Sequence, residues 1–377
     1  MQIHTGLGDG AGDFEVLVVP AEHAGLELDE FLGLHFPQVP KGKLRREVRE
    51  RRVLLDGAPT MPSQRLHRDQ IVLVRFDEDV LDGGGPVAPK VEIPILYEDD
   101  DVLVVDKPPR LAVEPERWHR SAATVAGALL ALAMDRSEGD PLTPDDDTLP
   151  GPLHFRPRLV HRLDKDTSGA LVVSKHLDAE RRLRGAFESG RVVKEYLALV
   201  EGEHPLGDGE VDVIDLPLGP DGRRTGRQRV DEREGKSSVT EVRVASRLSG
   251  YTLLACRPLT GRTHQIRVHL AARGFPLVVD PLYGRHERLN LSDFKRGYRA
   301  KRGAPERPLL DRLALHASRI LFPSALDDGS CFVPEMPPAG TANGPLQNAP
   351  FVHVFAPLPT DLERTLKQLA KWRGHKR

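Results

Sequence analysis

At 377 residues, with 39% apolar and 5% aromatic side chains, the chain has room for two or three domains around one sizeable core. No apolar run approaches the ~20 residues of a membrane span, and two cysteines, Cys256 and Cys331, are too few for a disulfide framework or a four-thiolate zinc site. The 54 Lys and Arg against 56 Asp and Glu leave a net charge of −2 and a pI near 6.7, which counts against a uniformly basic nucleic-acid binder and moves the question to local patches.

Residues 1–25 are Gly-rich and read as a tail or a leader strand. The opening MQIHTGLGDGAGDF has neither a basic n-region nor an apolar h-region, so no secretion signal is read there and a cytoplasmic address is the expectation. Its GLGDGAG has no strand before it, which makes a poor dinucleotide fingerprint.

Residues 26–76 read as one small unit. Leu28, Phe31, Leu32 and His35 share a helical face, Pro37 and Pro40 make a turn, and a basic helix is expected from Lys41 to Arg52. VLLDG then supplies a strand and a turn, and QIVLVRF a closing strand. The helix carries Lys41, Lys43, Arg45, Arg46, Arg49, Arg51 and Arg52 against only Glu47 and Glu50. A charge run is ordinarily a solvated face with internal ion pairs, but an imbalance of this size, followed by a small β-hairpin, weighs against that reading.

A linker rich in Asp, Gly and Pro occupies 77–90. The larger domain, 91–325, opens with the strand-like DVLVVDKPP and contains a Pro- and Asp-rich insertion, DRSEGDPLTPDDDTLPGP. Ala179, Leu183, Ala186 and Phe187 fall on one helical face, with Gly190 where a left-handed cap is wanted. KEYLALVEG, SVTEVRVAS and YTLLACRP are further strands, and THQIRVHLAARG is a helix ended by Gly274. Strands outnumber helices without alternating with them, so the class is α+β with a mixed, mostly antiparallel sheet. Residues 326–377 form an extension of uncertain role that ends in the helix-like TDLERTLKQLAKWRG.

The chemistry concentrates at RLVHRLDKDTSGALVVSK, 158–175, where Asp164 follows Arg158, His161 and Arg162. DKDT matches the Asp-x-Asp-x-Thr of aspartate-dependent phosphatases, but that site needs an apolar strand leading into the first Asp, and here ALVV comes after it. His264 and His269 are five apart, not the i, i+4 of a two-histidine zinc site. The runs EDDD and PDDD lack the spaced ligands and central Gly of a calcium loop. No metal or cofactor site is expected.

HRLDKDTSGALVV, then KEYLALV, PLTGRTHQIRVHLAARGFPLVVDPLYG and LHA, together resemble the RluA-type pseudouridine synthases in order and spacing across 91–325. The 26–76 unit resembles the ribosomal-protein-type (αL) RNA-binding domain that many members carry. The resemblance implies isomerisation of uridine in RNA to pseudouridine without cofactor, with Asp164 as the essential nucleophile or base. It implies Arg267 as the cation that keeps that carboxylate ionised, Tyr196 as a stacking partner for the uracil, and Arg162 as the side chain that fills the space left by an extruded base. Arg162 and His161 are expected at the substrate, as are Lys41, Lys43, Arg45, Arg46, Arg49 and Arg52 of the small unit. Thr167 and Ser168 are expected to bond backbone in the turn, and Gly169 to supply unusual dihedrals.

Three places depart from the family pattern: Arg110 stands where Gly usually follows the Lys-Pro motif, Arg68-Asp69 replaces a usual Gly-Asp, and RHERLNLSDFKRGYRAKRGAPERPLL is inserted before LHA. Lys295, Arg296, Arg299, Lys301 and Arg302 mark that insertion as an RNA-gripping loop. A monomer acting on ribosomal rather than transfer RNA, with no membrane partner, is the expectation. A non-catalytic RNA-binding or ribosome-assembly factor is the rival, and joint retention of Asp164, Tyr196 and Arg267 speaks against it.

Overall fold

The computed structural model of the chain describes residues 15–20, 23–36, 39–76, 91–114, 124–137, 155, 157–295, 297–299, 305–324, 333–337, 342–346 and 349–372, which fall into two compact units, 15–76 and 91–372.

The first unit runs β1 (Glu15–Val18), α1 (Leu28–His35), α2 (Lys41–Arg49), β2 (Val53–Leu55), β3 (Ala58–Pro59) and β4 (Ile71–Val74). Its sheet has the order β1-β4-β2-β3 with antiparallel pairs. Asp56 and Gly57 both take positive φ, 49° and 80°, as a two-residue hairpin turn requires. Leu28, Phe31, Leu32, Leu44 and Val48 of the helices bury against Val53, Val72 and Val74. Residues 15–18 belong to this sheet, so the leader expected to end at 25 holds a strand of the small unit. The basic helix stops three residues short of the expected Arg52, because Arg51 turns out at φ 61°.

The second unit comprises β5 (Ile95–Glu98), β6 (Val102–Lys107), α3 (Val125–Ser137), β7 (Arg158–Leu159), β8 (Ser168–Ser174), α4 (Leu177–Glu188), β9 (Val193–Glu201), β10 (Asp212–Asp215), β11 (Leu218–Pro220), β12 (Gln228–Val230), β13 (Val239–Arg247), β14 (Tyr251–Pro258), α5 (Gln265–Ala272), β15 (Leu315–Pro323), β16 (Gly344–Pro345), β17 (Phe351–Phe355) and α6 (Thr360–Lys371). Its main sheet runs β10-β13-β14-β9-β15-β8-β6-β5, and β15–β8 is the parallel pair in an otherwise antiparallel ladder. The architecture is the mixed α+β expected. Most of the Pro- and Asp-rich insertion, 138–150, lies outside the described residues.

The stretch beyond 325 is more integral than its composition suggests. β17 pairs with β15 through Arg319↔Phe355 and Leu321↔His353. α6 buries Leu362 and Leu369 with Leu199, Leu253 and Leu310. The basic insertion is anchored too, since buried Leu289 bridges Leu310 and the Ser292 N–H donates to Glu306 at 2.9 Å. Of the two Gly-position departures, Arg110 lies in the left-handed region at φ 64° and bonds the Asp311 carbonyl at 2.7 Å, whereas in the small unit it is Asp69, the residue after Arg68, that takes φ 63°.

Candidate active site

The loop between β7 and β8 carries Asp164 to the edge of a cavity of about 550 Å³, within the usual range for ligand sites. Two devices hold that loop. The buried Lys107, at the end of β6, spends its three N–H donors on the carbonyls of Pro108, Leu111 and Lys165 at 2.8–2.9 Å. Burial pulls its pKa to about 7 while the charges of Asp166 and Asp164 oppose the fall. On the other side, Gly169 sits at φ 113°, where a Cβ would come within 2.2 Å of the Ala317 carbonyl oxygen. Only glycine lets β8 run that close to β15 immediately after the loop.

Asp164 Oδ2 accepts from Arg267 Nη1 at 3.1 Å and leaves Oδ1 without a protein partner among the described residues. Arg267, from the first turn of α5, is 4% exposed, and its Nε and Nη2 both donate to Asp280 at 2.8 Å. Burial lowers the pKa of Arg267, but the hydrogen bonds and charges of Asp280 and Asp164 outweigh it and the net shift is upward. Asp280 Oδ1 also accepts from the Leu282 and Tyr283 N–H groups at 2.9 and 3.1 Å. The preceding Val279 is forced to φ 56°, unusual for a β-branched residue, so backbone strain is stored where Asp280 is aimed at Arg267.

His264 faces the same carboxylate, with Nε2 3.9 Å from Asp164 Oδ2 and Nδ1 3.0 Å from the Tyr283 hydroxyl. That hydroxyl accepts from the Gln228 N–H at 2.8 Å and keeps its own proton available for Nδ1. Burial lowers the His264 pKa, and the Asp164 charge partly restores it. Tyr196 on β9 lines the cavity, its phenol pushed up by burial and then by the Asp164 charge, so it remains neutral. Its body packs with the clusters around Leu171 and Ile266.

Arg162 is exposed at the cavity rim and makes no hydrogen bond or ion pair with the described residues. His161 also lines the cavity. Its Nε2 accepts from the Val172 N–H at 2.9 Å, and its ring stacks on Phe187 at 4.8 Å. Burial, with the Lys194 charge adding, brings its pKa to about 3, so the ring is neutral. The Thr167 N–H donates to the Asp164 carbonyl at 3.1 Å, but its buried hydroxyl has no partner among the described residues. Ser168 bonds side chains rather than backbone: His316 Nδ1 at 3.0 Å and Arg312 Nη1 at 3.4 Å, with Arg312 in turn bidentate on Asp361 of α6 at 2.7 and 2.8 Å.

In the small unit, much of the expected phosphate-binding charge is already matched. Lys41 and Arg45 pair with the buried Asp29 at 3.2 and 2.5 Å, Arg46 with Glu50 at 2.7 Å, and Arg52 with Glu47 and Glu50. Lys43 is half-buried, and Arg49 is exposed with no carboxylate partner among the described residues. In the insertion, Lys295 Nζ lies 5.3 Å from the Trp372 ring centroid beyond α6. Arg296, Lys301 and Arg302 lie outside the described residues.

Asp280, His264 and Lys107 had no functional role in the sequence reading. A signal for Asp280 was present: a lone carboxylate between PLVV and PLYG, in an apolar run where an unpaired charge would be costly.

A family model described as RNA pseudouridylate synthase matches residues 101–272. The chain is 34% identical over 266 residues to the ribosomal large subunit pseudouridine synthase D of Pseudomonas aeruginosa, an alignment covering 71% of this chain and 76% of that protein. It is 33% identical over 317 residues to the ribosomal large subunit pseudouridine synthase C of Escherichia coli, covering 82% and 88%. A solved structure, Human RNA Pseudouridylate Synthase Domain Containing 1, aligns with a TM-score of 0.44 at 25% identity, over 73% of this chain and 95% of that one.

Proposed function

The chain belongs to the RNA pseudouridine synthase family, and on that premise we propose that it isomerises uridines of large-subunit ribosomal RNA, with Asp164 as the reacting carboxylate and no cofactor. The observation that carries the reading is the Asp164–Arg267–Asp280 array: one oxygen of Asp164 is pinned, the other is left for substrate, and the pinning cation is itself clamped by a buried carboxylate. The ribosomal assignment follows the names of the relatives.

The reaction breaks the bond from ribose C1′ to ring N1 and forms one from C1′ to C5. The C5 proton is lost, N1 gains one, and composition is unchanged. Attack on C1′, addition to the ring and removal of a sugar proton all require Asp164 as the anion, and the Arg267 guanidinium 3.1 Å away is its counterion. The neutral Tyr196 offers a π-face to the uracil and an O–H for proton movement at the ring. A base inside folded RNA must first be extruded, at a cost of a few kcal/mol, and Arg162 at the rim takes the vacated place. In this reading the small unit and the 285–310 insertion hold RNA phosphates, and the protein works as a cytoplasmic monomer.

Pseudouridine mapping of ribosomal RNA from cells with and without the protein tests the assignment. A large-subunit site present only with the protein is the expected result, and an unchanged map would overturn it.

A further inference from the structure

Val192, just before β9, and Lys194 and Tyr196 on it face the cavity from alternate positions, while Val193 and Glu195 lie on the opposite face of the sheet. Lys194 and Tyr196 are therefore neighbours along one face, about 7 Å apart by strand geometry. The cavity's other cations are either exposed at the rim, as Arg162 and Arg262 are, or spent, as Arg267 is on Asp280 and Asp164. Lys194 is neither. It is half-buried, its Nζ stands 5.7 Å from the Phe187 ring centroid, and no carboxylate of the described residues pairs with it. The adjacent Glu195 is on the far face, bonded to Arg319 at 2.8 Å, and Glu188 at the cavity mouth does not reach it.

A half-buried cation without an anion is less well solvated than a free one and gains when an anion arrives. The cavity is open, and in the reading proposed above, on which this inference rests, the incoming molecule is a polyanion. We propose that Lys194 Nζ binds a backbone phosphate flanking the target uridine, so that β9 offers a cation for the phosphate and an aromatic ring for the base two residues apart. Burial lowers the pKa of Lys194, and an arriving phosphate would restore the charged form. Lys194 thus fixes the register of the strand being read, whereas the rim arginines contact it more loosely.

The test uses the full chain and its Lys194→Gln and Lys194→Arg variants on in vitro transcribed, unmodified large-subunit ribosomal RNA. Tritium release from 5-tritiated uridine is followed at salt concentrations from about 50 to about 200 mM. The Gln variant should raise KM about 10- to 100-fold with little change in kcat. The slope of log KM against log salt should become shallower by about 0.7–0.9, and the Arg variant should restore it. The Gln variant should melt no lower than wild type, because Lys194 has no ion pair among the described residues to lose. Unchanged KM and slope in the Gln variant, an Arg variant as impaired as Gln, or a lowered melting temperature with unaltered slope would each overturn the proposal in favour of packing on Phe187. If the wild type releases no tritium, the functional reading fails by itself, and filter binding of the same RNA by the three proteins still decides whether Lys194 holds a phosphate.

Discussion

Replacing Asp280 with Asn removes the clamp on Arg267 while barely changing shape. Asp280 accepts four hydrogen bonds, two from the guanidinium at 2.8 Å and two from the backbone N–H groups of Leu282 and Tyr283. Asn keeps the oxygen that serves Oδ1, but turns an NH2 toward Arg267 Nε, donor against donor. Arg267 is 4% exposed, so its charge loses its main counterion with no water to replace it, at about 3–5 kcal/mol. Asp164, 3.1 Å away, becomes the remaining carboxylate for Arg267, which then rotates onto it and covers the oxygen meant for substrate. The expected outcome is a fall in urea midpoint together with a drop in kcat of about 10²–10³. Arg267→Met should cost a similar amount of stability, because it strands Asp280. The double variant should be markedly more stable than the sum of the two single losses predicts, with a coupling of several kcal/mol. Additive losses, within about 0.5 kcal/mol, would refute the clamp.

Other consequences can be checked separately. Lys107→Met deprives three carbonyls of their donor and should destabilise by at least about 3 kcal/mol in denaturant titrations, with the loss of activity following the loss of fold. Gly169→Ala meets both a positive φ and the Ala317 carbonyl at 2.2 Å, so it should cost more than about 2 kcal/mol, read as a lowered melting temperature or insoluble protein. Burial raises the pKa of Asp361, but its hydrogen bonds and charge contact with Arg312 win, and the folded-state value lies below the ordinary one. Its contribution is therefore present above about pH 4 and lost as pH falls through the folded pKa, and Asp361→Asn should flatten the acid limb of a melting-temperature profile.

Local patterning reached the elements whose burial is decided nearby. ALVV became β8, buried along its whole length between β6 and β15, and the face of Ala179, Leu183 and Ala186 became the buried side of α4. Asp164 and Arg267, 103 positions apart, were linked through motif resemblance, which no periodicity supplies. Asp280 was quoted within a motif yet went unassigned, because its meaning lies in a partner on another element. The closing helix was legible as TDLERTLKQLAKWRG and became α6, although its burial against Leu199, Leu253 and Leu310 was not; β17, a short segment after Pro350 defined by its pairing with β15, was illegible for the same reason. Counted by charge the basic helix is seven against two, and the count does not show that Asp29 of α1, outside that run, accepts both Lys41 and Arg45.

The account stands most directly on Asp164. Ribosomal RNA from cells that lack the protein, complemented with either the wild-type chain or Asp164→Asn at equal abundance, can be mapped for pseudouridine. The account predicts a large-subunit site restored by wild type and absent with Asp164→Asn, although that variant still binds the RNA. A site restored equally by both would contradict it, because the carboxylate held by Arg267 would then have no part in the chemistry.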